Sequence, residues 1–233
     1  MLKYQFKPTF VSTLLLGIGI IILVGLGLWQ LERLQQKERV LSTIEQRMNE
    51  DMIIFPDDIT DVSRFDYANG AVRGRFDFDH EFFIRPRRFE GQNGYHVLTP
   101  FERLNGDWLL VNRGFVADDD VDYMRRPSGR AIILNGVLHV PDDRNRFTPA
   151  NTAGDPYIYA TDIDFIEKES GLEFSSPLVL YATESLDGPP IGGQLRMDIP
   201  NDHLEYAFFW FTMAGMMLFF YFAYFVRQKE DHD

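Results

Sequence analysis

The sequence predicts an α+β membrane protein in which two transmembrane helices flank a mostly antiparallel β domain, a curled sheet or small barrel with one or two short helices. Three observations carry this expectation. Phe10 to Leu31, FVSTLLLGIGIIILVGLGLWQL, holds no charge, and neither does Tyr206 to Val226, YAFFWFTMAGMMLFFYFAYFV; each reaches the roughly 20 apolar residues that cross a bilayer. Between them lie about six segments rich in β-branched and aromatic residues. One pair of these flanks Asn105-Gly106, a strong short hairpin signal.

The order of segments follows. A tail over 1–9 precedes the first span, 10–31, which is too long and too bulky at Trp29 for a cleaved signal and reads as an uncleaved anchor. Residues 32–204 form the large domain. Its first part, 32–50, carries Leu34, Leu41, Ile44 and Met48 at helical spacing, a helical stalk. The β-rich core occupies 71–184. There AVRGRFDF and EFFIRPRR read as a hairpin about Asp79 and His80, and GYHVLTPFERL and DWLLVNRGFV as a second about Asn105-Gly106. RAIILNGVLHV and SPLVLYATE supply two more strands. TDIDFIEKESG predicts a short helix, with Thr161 and Asp164 as a capping box and Gly171 as its stop. The second span covers 205–226 and a tail 227–233.

Charge and composition narrow the function. The large domain holds 31 Asp and Glu against 19 Lys and Arg, so it carries the whole formal charge of −12. Phosphate neutralisation drives nucleic-acid binding, and an acidic domain cannot supply it; anionic lipid is disfavoured likewise. The chain has no cysteine, which excludes disulfides, thiolate metal sites and a thiol nucleophile. No presequence-like Arg- and Ser-rich start is present, which points to a bacterial inner membrane. Lys3, Lys7, Arg227 and Lys229 in the tails favour cytoplasmic termini and a periplasmic central domain.

No Gly-rich phosphate loop, H-E-x-x-H or G-x-S-x-G appears, so a hydrolase has no constellation to work with. His80, His96, His139, His203 and His232 include no pair at helical ligand spacing. Asp77, Asp79, His80 and Glu81 cluster in DFDHE, but strand alternation turns neighbours to opposite faces, and a solvated turn is the expectation. Arg85, Arg87, Arg88 and Arg113 offer either an anion-binding patch or partners for the many carboxylates.

The membrane face is more informative. Trp29, Gln30 and Arg33 close the first span, and antiparallel spans bring them to the depth of His203. Pro200, Asn201 and Asp202 are helix-start signals, and Asp202 with Glu205 matches a capping box. His203 therefore stands in the first turn, where the helix dipole disfavours the imidazolium, and neutral imidazole is the metal-ligating form. Ala207, Trp210 and Ala214 follow at +4, +7 and +11. That face suits a flat apolar ligand, or else packs on the other span beside a boundary histidine.

The motifs also carry a resemblance. LGLWQLERLQQK supplies Leu26, Gly27, Trp29, Gln30 and Arg33 in an L-G-x-W-Q-x-x-R pattern, with Lys37 beyond. GYHVLTP (94–100), VNRGF (111–115), TPAN (148–151) and the N-x-H-L-x-Y-A start of the second span follow in order. In these the chain resembles the Surfeit locus protein family of cytochrome c oxidase assembly factors. Phe115 stands where that family usually has Trp, and Asp202, Glu205 and Phe209 replace its common Asn, Gln and Thr. The resemblance implies a non-enzymatic factor that matures the catalytic subunit of haem-copper oxidase and handles haem a supplied by the haem a synthesis machinery. It implies His203 as an axial iron ligand. Trp210 would then lie along the macrocycle, and Arg33 or Arg113 near its propionates.

Overall fold

The computed structural model describes residues 4–6, 8–120, 130–141, 144–186, 188–195 and 201–228. Lys3, Lys7, Pro200, Lys229 and His232 lie outside the described residues. In chain order the elements are β1 (Tyr4–Phe6), α1 (Phe10–Met48), β2 (Ile53–Ile54), α2 (Val62–Phe65), β3 (Asn69–Phe76), β4 (Phe82–Phe89), β5 (Gln92–Arg103) and β6 (Trp108–Ala117). β7 (Ile132–His139), β8 (Tyr157–Ile158), α3 (Ile163–Ser170), β9 (Phe174–Ala182), α4 (His203–Phe225) and β10 (Val226–Gln228) complete the order. They form two units, one of residues 1–43 with 197–233 and one of residues 44–196.

The first unit is a helix pair. α1 and α4 are both long and apolar enough to cross a membrane. Their contacts run in opposite directions along the two helices. Gln30 meets His203, Gly27 faces Phe211, Gly19 faces Met217, and Thr13 and Tyr221 share a hydrogen bond of 2.5 Å. In lipid there is no hydrophobic drive between helices, so side-chain packing and interhelical hydrogen bonds do the work. Gly27 leaves room for a large side chain from α4: a methyl added there would enter the Phe211 ring. Leu23, Ala207 and Ala214 are buried while most other side chains of both helices face outward. Ala207 and Ala214 of α4 are therefore packed, the second of the two readings that the spacing allowed. Below the pair, β1 and β10 form a two-stranded antiparallel ribbon, Tyr4 opposite Gln228.

The second unit is a mixed sheet. Its order is β2-β3-β7-β9-β6-β5-β4-β8, and β3 also pairs with β5. That last pairing, Gly74 to Phe76 against Phe101 to Arg103, closes β3, β7, β9, β6 and β5 into a five-stranded barrel. Closure leaves those strands no edge to protect. The barrel encloses Phe76, Phe101, Leu109, Val111, Leu134, Leu138, Leu178 and Leu180. A second cluster, Leu98, Leu110, Val179, Ile84 and Ile158, packs under Ile166 of α3. β6 therefore lies between two cores, which explains its unbroken apolar run LLV.

Two expectations change here. β3 and β4 do not form a hairpin. Asp77 ends β3 and caps a 3-10 turn, Phe78–His80, after which β4 pairs with β5 and β8. The barrel is mostly antiparallel, as expected, with β6 and β9 its one parallel pairing. Asp162, not Thr161, caps α3, its carboxylate accepting the Phe165 N–H, while Gly171 ends the helix at φ 72°. The Asn105-Gly106 hairpin forms between β5 and β6, with Gly106 at φ 91°, and Asn105 Oδ1 accepting the Asp107 N–H.

Candidate functional site at the head of the second span

His203 is the first residue of α4, and the Asp202 carbonyl accepts the Tyr206 N–H to start the helix. The ring is half-buried and turned towards α1. Its Nδ1 lies 2.7 Å from Gln30 Oε1. A carbonyl oxygen only accepts, so this contact suits a ring that carries a proton on Nδ1. The ring makes no other hydrogen bond among the described residues, and in the Nδ1–H tautomer Nε2 is the nitrogen with a lone pair to offer.

Beside the ring lies an open pocket of about 420 Å³, lined by Arg33, Gln36, Lys37, Val40 and His203. Four of these come from the part of α1 beyond its uncharged run, spaced so that successive turns present one face. Arg33 donates to Gln36 Oε1 at 3.0 Å, and its guanidinium stands 5.8 Å from the centre of the Trp29 ring. The pocket thus offers one imidazole, two basic side chains and an apolar wall. Chemically, that combination suits a Lewis-acidic metal carried by an organic group with carboxylates.

The structure brings Arg33 and His203 together at one pocket. Trp210 continues the α1-facing stripe below His203 and does not line the pocket. Its indole N–H is buried and, among the described residues, has no hydrogen-bond partner; the same holds for Asn201 Oδ1. Arg113 belongs to the sheet unit. In β6, Leu98 faces Asn112 and Val97 faces Gly114, so Arg113 is the extra residue of a bulge. The turn is held by Asn112 Oδ1, which accepts the Gly114 N–H. Gly114 takes φ 116°, and a methyl there would strike the Ile191 carbonyl. The bulge aims Arg113 inward, 5% exposed, where it donates to Glu81 Oε1 at 2.8 Å. Thr99 Oγ1 donates to the same oxygen, and the Phe76 and Phe78 rings stand 5.2 Å and 5.0 Å from the guanidinium. So engaged, Arg113 helps hold the interior of the sheet unit together.

Glu81 was hidden in sequence by its neighbours in DFDHE. Those neighbours serve the turn: Asp77 accepts from the Asp79 N–H and pairs with His80 Nδ1 at 2.7 Å. Among the described residues no three or more His, Asp or Glu gather as a metal site. The pocket role of Gln36 and Val40 was also missed, because the uncharged run ends before them.

A closed barrel joined to an apolar helix pair, with a metal-competent imidazole at the head of one helix, defines a barrel protein with two membrane-type anchors. Residues 18–215 match the SURF1 family, and the chain belongs to it. It is 30% identical over 224 residues to Surfeit locus protein 1 of Mus musculus, covering 88% of this chain and 72% of that protein. It is 31% identical over 227 residues to the SURF1-like protein of Drosophila melanogaster, covering 88% and 74%. Against Surfeit locus protein 1 of Homo sapiens the identity is 29% over 224 residues, covering 87% and 74%.

Proposed function

We propose that this protein is a non-enzymatic assembly factor for haem-copper cytochrome c oxidase, binding haem a and delivering it to the catalytic subunit. It sits in a bacterial inner membrane through α1 and α4, with both tails cytoplasmic and the sheet unit periplasmic. One observation carries the reading: with Nδ1 engaged by Gln30, His203 Nε2 has no partner among the described residues, and the ring borders a pocket flanked by Arg33 and Lys37. The residues fit the group. His203 holds the iron, and the two cations neutralise the carboxylates. Haem a supplies the metal centre that the oxidase requires; the chain itself binds, orients and releases. A lone histidine suits a carrier, since release from one protein ligand is easier than from a closed pair. Transfer proceeds by lateral contact with the oxidase subunit, after loading from the haem a synthesis machinery.

The test is the haem spectrum of the full chain purified from cells that make haem a. His203→Ala should lose most of the bound haem. Equal haem content in both proteins would remove the ligand role.

A second reading, a scaffold that binds the oxidase subunit without haem, draws on an exposed apolar patch. Ile54, Leu104 and Ile133 are 87%, 65% and 66% exposed, and Ile54 and Ile133 sit on strands that both pair with β3. The scaffold predicts that His203→Ala supports oxidase assembly while Ile133→Asp abolishes it.

A further inference from the structure

We infer that Gln30 is the positioning residue for His203: its side-chain carbonyl fixes the ring as the Nδ1–H tautomer and sets how firmly Nε2 holds a metal. The inference rests on the proposed haem-binding reading for its consequence, though not for its geometry.

The geometry begins with Gly27. Its missing side chain lets the Phe211 ring lie against α1, which seats the two helices together one turn before Gln30 reaches across. The resulting contact is short, 2.7 Å between Gln30 Oε1 and His203 Nδ1. Both residues are half-buried, and a hydrogen bond in such low-dielectric surroundings is stronger than one in water. A ring nitrogen that ligates metal usually has its partner nitrogen donating to a carbonyl or carboxylate, which fixes the tautomer and raises ligand basicity. Here the acceptor is on a different helix, so the aim of the imidazole depends on α1 and α4 being paired.

The choice of acceptor also matters. A neutral amide draws less on the Nδ1 proton than a carboxylate would. Gln30 therefore orients the ring without giving it the stronger, imidazolate-like character that a Glu would confer. For a carrier that must surrender its cargo, the weaker acceptor is the useful one. The reversed amide, its NH2 group donating to Nδ1, would put the ring proton on Nε2 and block ligation.

The test uses the full chain in lipid nanodiscs with 15N-labelled histidine, as wild type, Gln30→Leu and Gln30→Glu. In the wild type without haem, His203 should show a protonated Nδ1 and an unprotonated Nε2. Gln30→Leu should lose that preference and bind added haem a roughly 10- to 100-fold more weakly. Gln30→Glu should keep the tautomer, bind haem at least as tightly, lower its reduction potential and slow its release to an acceptor haem protein. Rescue by Glu and not Leu separates positioning from mere packing. A protonated Nε2 in the wild type, or unchanged tautomer and affinity in Gln30→Leu, would overturn the inference. The expected tautomer without haem binding in any variant would retire the haem reading and leave the positioning role standing.

Discussion

Glu81 and Arg113 show what a single residue can carry in this chain. Both are buried, 7% and 5% exposed, and they form an ion pair at 2.8 Å. Removing one member of a buried ion pair takes a neutralising partner from the other, at a typical cost of about 3–5 kcal/mol. Glu81→Ala should therefore destabilise the sheet unit by that order in denaturant unfolding of the full chain, while leaving the His203 pocket chemically intact. Arg113→Met, of similar length and apolar, paired with Glu81→Leu should recover much of the loss, because the replaced pair no longer needs desolvation. Double-mutant unfolding free energies check this directly. Gly114 is the companion case. Gly114→Ala must find room against the Ile191 carbonyl at a backbone angle that L residues avoid, and should unfold more readily than Ala substitution at the open Gly91.

Among the elements, α1 and α4 were legible from composition alone, since an uncharged run of that length has few other uses. The β5–β6 hairpin was legible through Asn105-Gly106, a local signal. β3 and β4 were misjoined because partner choice is not local: both pair with the long β5, at opposite ends, and nothing in DFDHE announces that. For the site, His203 and Arg33 were legible through helix start and spacing, while Gln30 was visible only as a neighbour. Its partnership spans 173 positions and needed the helices placed. The pair itself makes a prediction. Gly27→Val should force Phe211 aside and separate the helix heads. Because the chain has no cysteine, a Thr13→Cys, Tyr221→Cys pair gives a clean crosslink reporter, with high yield in the parent and reduced yield beside Gly27→Val. α2 makes another. The Ser63 hydroxyl and then the Arg64 N–H hold the Asp61 carboxyl below the ordinary carboxylate range. A depressed folded-state value means the cap helps at neutral pH and fails as pH falls through that value. Amide exchange at 62–65 should accelerate under acid before the barrel strands respond.

At the scale of the whole molecule, charge and apolarity are segregated. The acidic sheet unit carries the solubility, the helix pair carries the membrane affinity, and the pocket lies at the charged end of the apolar run in α1. The barrel encloses a large buried cluster, to which β9 contributes Leu178, Leu180 and Ala182. Leu178 and Leu180 are wholly buried, so Leu180→Ala should cost about 2–5 kcal/mol, measured by denaturant unfolding of the full chain.

The strand order has one further consequence. β9 lies between β7 and β6, yet it is the last barrel strand to be synthesised. As the chain emerges, the β5–β6 hairpin can form at once, but β6 and β7 must wait for residues 174–182 to arrive and wedge between them. Until then the apolar lining of an unfinished cylinder faces solvent. A nascent chain stalled before Phe174 should accordingly be a strong client for general holding chaperones, and one released after Ala182 a poor one.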